Sequence, residues 1–206
     1  MLVFRWSARV RSAVWLPWFA LACEGYLDLG DARLIAVVPT LEEAVGPLCG
    51  QYCDAVMQSC SGPFQVYANR IQCLGLCSVM LEGEPGEDDR NSIHCRLTHA
   101  QLARDTAEPA SHCPQAGPGG EAAVVEAPSC AMNCEGLCTG MLSICPEQYV
   151  SLNACLEDCG SVPDLGGYSQ GTGQGNSVQC RLFHLVAASA APDPHCTHAA
   201  GATPCR

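Results

Sequence analysis

Apolar residues recur at helical spacing in the segment that begins near residue 48. At steps of four residues, one face of a helix here would hold Leu48, Tyr52, Val56 and Cys60. Cys49 and Cys53 lie one helical turn apart in this segment, and two cysteines placed in this way do not readily bridge each other. A facing helix must therefore supply their partners. Cys73 and Cys77 repeat the C-x3-C spacing after the turn "SGPF" at residues 61–64, so the pattern predicts an antiparallel helical hairpin.

A third helix is predicted after a polar loop. The loop "EGEPGEDDR" at residues 82–90 lacks the spacing of a calcium-binding EF-hand, and we expect it to be solvated. Asn91 follows the loop at a position that suits a helix N-cap, and Asn176 has the same position after the Gly-rich loop at residues 160–175. Beyond it, the apolar residues that return at helical spacing are Ile93, Leu97, Ala100 and Ala103. Cys95 and His99 lie together on another face of this helix.

The whole arrangement occurs twice in the chain. Eight cysteines between residues 49 and 130 match eight between residues 134 and 205. In both sets the same numbers of residues separate the first cysteine from the second, the second from the third, and the fourth from the fifth. The segment "NSIHCRL" at residues 91–97 returns as "NSVQCRL" at residues 176–182, and a histidine follows each at the second position. We therefore predict an all-α fold in which a small disulfide-rich helical domain, a hairpin plus a third helix, is duplicated in tandem. Residues 47–130 and 131–206 are the two copies, called the first and second halves below.

The cysteine content and the leading residues indicate export. Seventeen cysteines in 206 residues are typical of a disulfide-bridged protein of an oxidising compartment. Residues 1–22 have the features of a signal peptide, because arginines precede the apolar stretch "SAVWLPWFALA", which is too short to span a bilayer. This leader contains three of the 10 basic residues and none of the 21 acidic ones. The remaining chain is strongly acidic, which argues against a nucleic-acid partner.

The end of the leader could be recognised in two ways, as an ordinary signal-peptidase site or as a lipobox. In "ALAC" at residues 20–23, the first three residues suit an ordinary signal peptidase, and all four resemble a bacterial lipobox with Cys23 as the lipid attachment site. Two sets of eight leave Cys23 as the seventeenth cysteine, and acylation would explain an unpaired cysteine in an exported protein. We therefore expect residues 23–46 to form a tether. The protein would then be a lipoprotein of the bacterial cell envelope, at the outer membrane or cell surface, and otherwise secreted.

The two predicted hairpins specify four disulfides. These bridges are Cys49–Cys77, Cys53–Cys73, Cys134–Cys159 and Cys138–Cys155. The spacing leaves the other eight cysteines open, and the eight cysteines of one half alone allow 105 connectivities. For them we expect Cys60–Cys95, Cys113–Cys130, Cys145–Cys180 and Cys196–Cys205.

The repeated Cys-Arg-Leu-x-His segment has three interpretations. In the structural one, which we favour, His99 and His184 hydrogen-bond within the fold, and the arginines Arg96 and Arg181 bind a carboxylate or helix C-terminal carbonyls. In the second, the histidines bind copper, zinc or haem iron. The ligand sets would be His99 with His112, and His184 with His195 or His198, although His198 has no histidine counterpart in the first half. In the third, His184 activates a nucleophile or water, but the sequence places no partner for it.

Three motifs that mark common redox, metalloprotease and dinucleotide-binding sites are absent from the sequence. It contains no C-x-x-C, H-E-x-x-H or G-x-G-x-x-G segment. With its leader, "ALAC" segment and paired eight-cysteine blocks, the chain resembles cysteine-rich lipoproteins predicted in myxobacteria, and this resemblance implies an envelope location and no activity. We predict a lipid-anchored structural or binding protein that has an envelope or protein partner, no cofactor and no catalytic residue. The alternatives are a metal- or haem-binding protein and, third, an exported hydrolase with an unrecognised site.

Overall fold

The computed structural model describes residues 40–121 and 129–206, and the regular elements in these ranges are helices joined by loops. The α-helices are α1 Leu41–Val45, α2 Pro47–Ser59, α3 Arg70–Cys77, α4 Ile93–Asp105, α5 Pro109–Ala116, α6 Asn133–Ile144, α7 Leu152–Gly160, α8 Val178–Ala188 and α9 Pro192–Ala199. No β-strand occurs in the described ranges, which confirms the predicted all-α fold class. The expected signal peptide and the lipid attachment site Cys23 lie outside the described residues. None of the described helices is long and apolar enough to cross a membrane.

Each half begins with a disulfide-bridged helical hairpin. In the first half α2 and α3 are joined by Cys49–Cys77 and Cys53–Cys73, with Cα–Cα distances of 5.7 and 5.8 Å. In the second half α6 and α7 are joined by Cys134–Cys159 and Cys138–Cys155, at 5.7 and 5.6 Å. These are the four bridges that the C-x3-C spacing predicts. Seven of these eight cysteines are buried and Cys134 is half-buried, so the bridges form part of the core.

The other four expected bridges are wrong, because each half contains a fourth helix. The predicted Cys60–Cys95, Cys113–Cys130, Cys145–Cys180 and Cys196–Cys205 are replaced by Cys60–Cys113, Cys95–Cys130, Cys145–Cys196 and Cys180–Cys205. Helices α5 and α9 pack along α4 and α8 and carry one cysteine each. Cys113 of α5 bridges to Cys60, which directly follows α2, and Cys196 of α9 bridges to Cys145, which directly follows α6. The cysteine of α4 or α8 then pairs with the last cysteine of its half.

The two halves have the same bridge topology. Counted along each half, the first cysteine pairs with the fifth, the second with the fourth, the third with the seventh and the sixth with the eighth. Every cysteine of the described residues is therefore in a bridge. This saturation is typical of proteins that fold in an oxidising, extracellular environment.

The halves pack directly against each other within one compact unit. Helix α3 lies against α8, and the hydroxyl of Ser189 donates to the backbone carbonyl of Gln72 at 2.9 Å. A Cβ atom on Gly75 would lie 2.5 Å from the carbonyl oxygen of Ser189, so the approach of α3 to this segment requires a glycine. Leu76 and Leu185 meet beside Gly140, and both leucines are buried. The two halves therefore share a core.

The starts of several elements differ from the predictions by small shifts. Helices α4 and α8 are capped by Ser92 and Ser177, one residue beyond the expected asparagines Asn91 and Asn176. The serine hydroxyls accept from the third backbone N–H of each helix, at 3.1 and 3.2 Å.

Helix α1 lies inside residues 23–46, which we expected to be a tether, and it packs on α2 and α3.

Candidate functional site

A pair of histidines lies at the same place in each half. In the first half His99 on α4 faces His112 on α5, with 3.1 Å between their Nδ1 atoms. In the second half His184 on α8 faces His195 on α9, with 2.9 Å between the Nδ1 atoms. His99 and His184 are both buried, at 5 % exposure each. The structure thus brings the four predicted candidate histidines together as two matched pairs.

A backbone carbonyl orients the buried histidine of each pair. The Nε2 atom of His99 lies 3.2 Å from the carbonyl oxygen of Asp88, and that of His184 lies 3.3 Å from the carbonyl oxygen of Gly173. Since a carbonyl only accepts, Nε2 carries the hydrogen, and the neutral ring keeps its Nδ1 lone pair. That lone pair faces the Nδ1 atom of the partner histidine. It can accept a hydrogen bond from the partner or bind a metal ion.

The pKa values of His99, His184 and His195 favour the neutral form. Burial lowers the pKa of His99 below its ordinary value, and the neighbouring His112 lowers it further. Burial likewise lowers the pKa of His184, and the other histidines around it act in the same direction. The pKa of His195 is also lowered, mainly by burial. At neutral pH the Nδ1 lone pair of His184 is therefore free of a proton.

A third histidine joins the pair in the second half. The ring of His198 on α9 lies 4.7 Å from that of His184 and 6.1 Å from that of His195, measured between ring centroids. One ring nitrogen from each of the three residues lies within 4.8 Å of the others. The Nδ1 atom of His198 is buried and has no hydrogen-bond partner among the described residues. Three imidazoles so placed are a ligand set that suits zinc or copper.

The first half has glutamine where the second half has this third histidine. Gln115 follows Cys113 by two residues, as His198 follows Cys196, and its side chain is buried at 2 % exposure. Its Nε2 atom donates to the carbonyl of Ser111 at 3.2 Å, and its Oε1 atom has no partner within the described ranges. The first half therefore offers two imidazoles and an amide at the equivalent place.

The sulfur atoms near the buried histidines are not available as ligands. Cys95 and Cys130 lie beside His99, and Cys180 and Cys205 lie beside the equivalent histidine of the second half. Each of these cysteines belongs to a disulfide bridge. Because the thiolate is the form that binds a metal ion, the bridged sulfurs leave only imidazole nitrogens in the two clusters.

The arginines of the repeated segment have structural roles of two kinds. Arg96 is buried and donates to backbone carbonyls at the end of α5, at 3.0 Å to Gly117 and 3.3 Å to Pro118. Arg181 instead pairs with the carboxylate of Asp158 on α7. The sequence left a carboxylate and helix C-terminal carbonyls open as partners, and each half uses a different one.

A cleft of about 730 Å³ lies where the acidic loop of the first half meets the start of the second half. Its lining residues come from two segments, and they are Leu81, Glu82, Gly83, Glu87, Asp89, Arg90, Asn91, Ser92, Ser129, Cys130, Ala131, Met132 and Glu135. Four of them carry carboxylates and one carries a guanidinium. Leu81 and Met132 add apolar surface, with 69 % and 61 % of their area exposed.

The lining of the cleft has four carboxyl groups against one guanidinium, so its formal charge is negative. The hydroxyl of Ser92 donates to Glu87 at 2.7 Å, and this bond holds the pKa of the Glu87 carboxyl below its ordinary value. Asn91 donates to Glu135 at 3.2 Å across the two halves. Our sequence analysis did not identify this cleft, since Glu135 lies more than forty residues from the acidic loop in the chain. The one local signal was the run of acids at residues 82–90.

Comparisons with known proteins cover part of the chain. Residues 40–127 match the model of the BfoA family C-terminal domain, a bacterial family. The matched range contains α1 to α5 and thus includes the first histidine pair and the acidic loop. No curated protein and no solved structure matches the chain. The chain is a small disulfide-rich helical protein that is similar to this domain over its first half.

Proposed function

We propose that the protein is an exported, lipid-anchored binding protein that holds a basic polypeptide segment in the acidic cleft and catalyses no reaction. The cleft is the observation that carries this proposal. It combines four carboxylates with the exposed side chains of Leu81 and Met132. A segment with lysine or arginine next to apolar residues would complement both features. The lipid on Cys23 would hold the chain at the envelope.

The rigidity of the fold supports a binding role. The sixth cysteine of the first half, Cys95, is bridged to Cys130, which itself lines the cleft. One wall of the cleft is thereby attached covalently to α4. A wall fixed in this way loses little conformational entropy when a partner binds, and this favours affinity.

Binding of two matched peptides tests the proposal. One peptide combines lysine, leucine and serine, and the other has the same length and order with glutamate in place of lysine. We expect the mature, oxidised protein to bind the lysine peptide more tightly in fluorescence anisotropy, and added salt to weaken that binding through screening. Equal binding of the two peptides would contradict the proposal.

A charge-matched pair of variants locates the binding surface. The cleft variant combines Glu82→Gln, Asp89→Asn and Glu135→Gln, and it leaves the Glu87 bond to the helix cap intact. The control variant removes the same charge from exposed acids outside the cleft, at Glu108, Glu147 and Glu157. Since an exposed ion pair contributes about 0.2–1 kcal/mol, we expect the cleft variant to bind the lysine peptide about tenfold more weakly. Similar losses in both variants would show that net charge alone acts.

A further inference from the structure

We propose that the second half binds one divalent transition-metal ion, zinc or copper(II), through His184, His195 and His198, and that the first half binds none. This site is separate from the acidic cleft, and its test does not depend on the peptide proposal. The inference rests on the three-histidine geometry and on the comparison of the two halves.

The distances are close to those that such an ion requires. With bonds of about 2.0–2.1 Å, tetrahedral coordination places neighbouring ligand nitrogens about 3.3 Å apart. The Nδ1 atoms of His184 and His195 are already 2.9 Å apart. The candidate ligand atoms of the three residues lie within 4.8 Å of one another. The widest separation must therefore shorten by at most about 1.5 Å when the ion binds. His195 and His198 are only half-buried, so their rings have room for this adjustment.

The hydrogen bond of His184 prepares it as a ligand. Metal-binding histidines commonly donate their other ring N–H to a carbonyl or carboxylate, which fixes the tautomer and the ring orientation. The contact between His184 Nε2 and the carbonyl oxygen of Gly173, at 3.3 Å, has this form. It directs the Nδ1 lone pair towards the other two imidazoles.

The third histidine distinguishes a ligand cluster from a structural pair. A histidine pair held by one hydrogen bond accounts for both halves, so the pair alone does not indicate a metal. His198 adds a further imidazole whose Nδ1 atom is buried without a partner among the described residues. Buried polar atoms are normally paired, and a bound ion with its water would supply the missing interaction. In the first half Gln115 occupies this position, and an amide is a poor ligand for zinc or copper.

The solvent side of the site leaves a coordination position open. His184 is buried, whereas His195 and His198 are partly exposed, so an ion can enter from that side. Three protein ligands leave the fourth tetrahedral position to water. Magnesium and calcium prefer oxygen ligands and should not compete for three imidazoles.

Metal titration of the untagged, oxidised chain tests the inference. The protein is stripped with a chelator, the chelator is removed, and zinc chloride is titrated against a chromophoric zinc chelator. We expect one zinc ion per chain and no displacement by magnesium. With copper(II), electron paramagnetic resonance should show nitrogen coordination. The absence of zinc and copper binding at micromolar concentration would overturn the inference.

Exchanging one residue between the halves provides the matched controls. His198→Gln gives the second half the first half's residue, and we expect zinc affinity to fall at least ~100-fold, since even loss of a contact behind a ligand costs 10–100-fold. His112→Gln in the first half should leave the stoichiometry and affinity unchanged. Gln115→His should raise the stoichiometry from one to two. Unchanged binding in His198→Gln, or a stoichiometry that stays at one in Gln115→His, would contradict the assignment.

A fold check keeps these outcomes interpretable. Each variant is compared with the wild-type chain by helical circular dichroism and by the number of thiols that alkylate before reduction. His198→Gln introduces a side chain that the first half already accommodates, so we expect both values to stay unchanged. Zinc binding lost with the fold intact supports the inference.

Discussion

We predict that Arg96→Lys lowers the free energy of unfolding by about 3–5 kcal/mol, because lysine cannot replace the arginine fork. Arg96 is 1 % exposed and donates to the carbonyls of Gly117 at 3.0 Å, Ser92 at 3.1 Å and Pro118 at 3.3 Å. A hydrogen bond to a charged group contributes about 1.5–3 kcal/mol. The single ammonium group of lysine can keep one of these bonds. The other two carbonyls then stay buried without this donor.

Denaturation of the oxidised protein by guanidinium chloride measures this loss. The free energy of unfolding is obtained by linear extrapolation, with all bridges intact in both proteins. Arg181→Lys in the second half should cost less, since lysine can keep the ion pair with the carboxylate of Asp158. Arg104→Lys is the surface control, and it should change the stability by less than ~1 kcal/mol because its pair with Asp105 is exposed. A loss below ~1 kcal/mol for Arg96→Lys would refute the reasoning.

Two further predictions concern the histidine pair and a glycine. In metal-free protein, the folded-state pKa of His99 is lowered, first by burial, so unfolding takes up a proton. Stability should be complete above about pH 6.5 and should fall as the pH is lowered through the histidine range, and His99→Gln should reduce that fall in thermal melts. An identical pH dependence in the variant would contradict this role. Gly201 has φ +93°, and a Cβ atom there would lie 2.6 Å from the guanidinium of Arg181. Gly201→Ala should therefore lower the free energy of unfolding by about 1–3 kcal/mol, whereas Gly171→Ala, which meets open space, should change it by less than ~1 kcal/mol, and equal effects would refute the assignment.

The hairpins were predictable because their signal is local. Two C-x3-C segments separated by a short turn place four sulfurs on facing helices, and few other arrangements let them bridge. The remaining bridges depend on α5 and α9, which are only eight residues long and give little apolar periodicity. Each begins with proline, and α5 also contains Pro114. Because the sequence did not predict α5 and α9, it did not predict that Cys113 and Cys196 lie near the ends of α2 and α6.

For the candidate sites, too, the sequence indicates which residues are equivalent, whereas their contacts depend on how the helices pack. The repeated segment places His99 and His184 at equivalent positions of the two halves, because each lies at the same offset from a cysteine. Which ring nitrogens face each other depends on the packing of α5 and α9, and the sequence does not encode that directly. The N-cap shift from Asn91 to Ser92 has a similar cause. Both residues can cap a helix, but Ser92 caps α4 and the side chain of Asn91 instead donates to Glu135.

The most direct test of the account is the intact mass of the native, membrane-extracted protein, measured with and without alkylation before reduction. The account predicts a mature chain that begins at Cys23, carries the added mass of an acyl-glyceryl group, and shows no alkylated thiol, because the other cysteines pair in eight bridges. A mass that reveals several alkylated thiols, or a chain that begins elsewhere without a lipid, would contradict an envelope lipoprotein held together by disulfides.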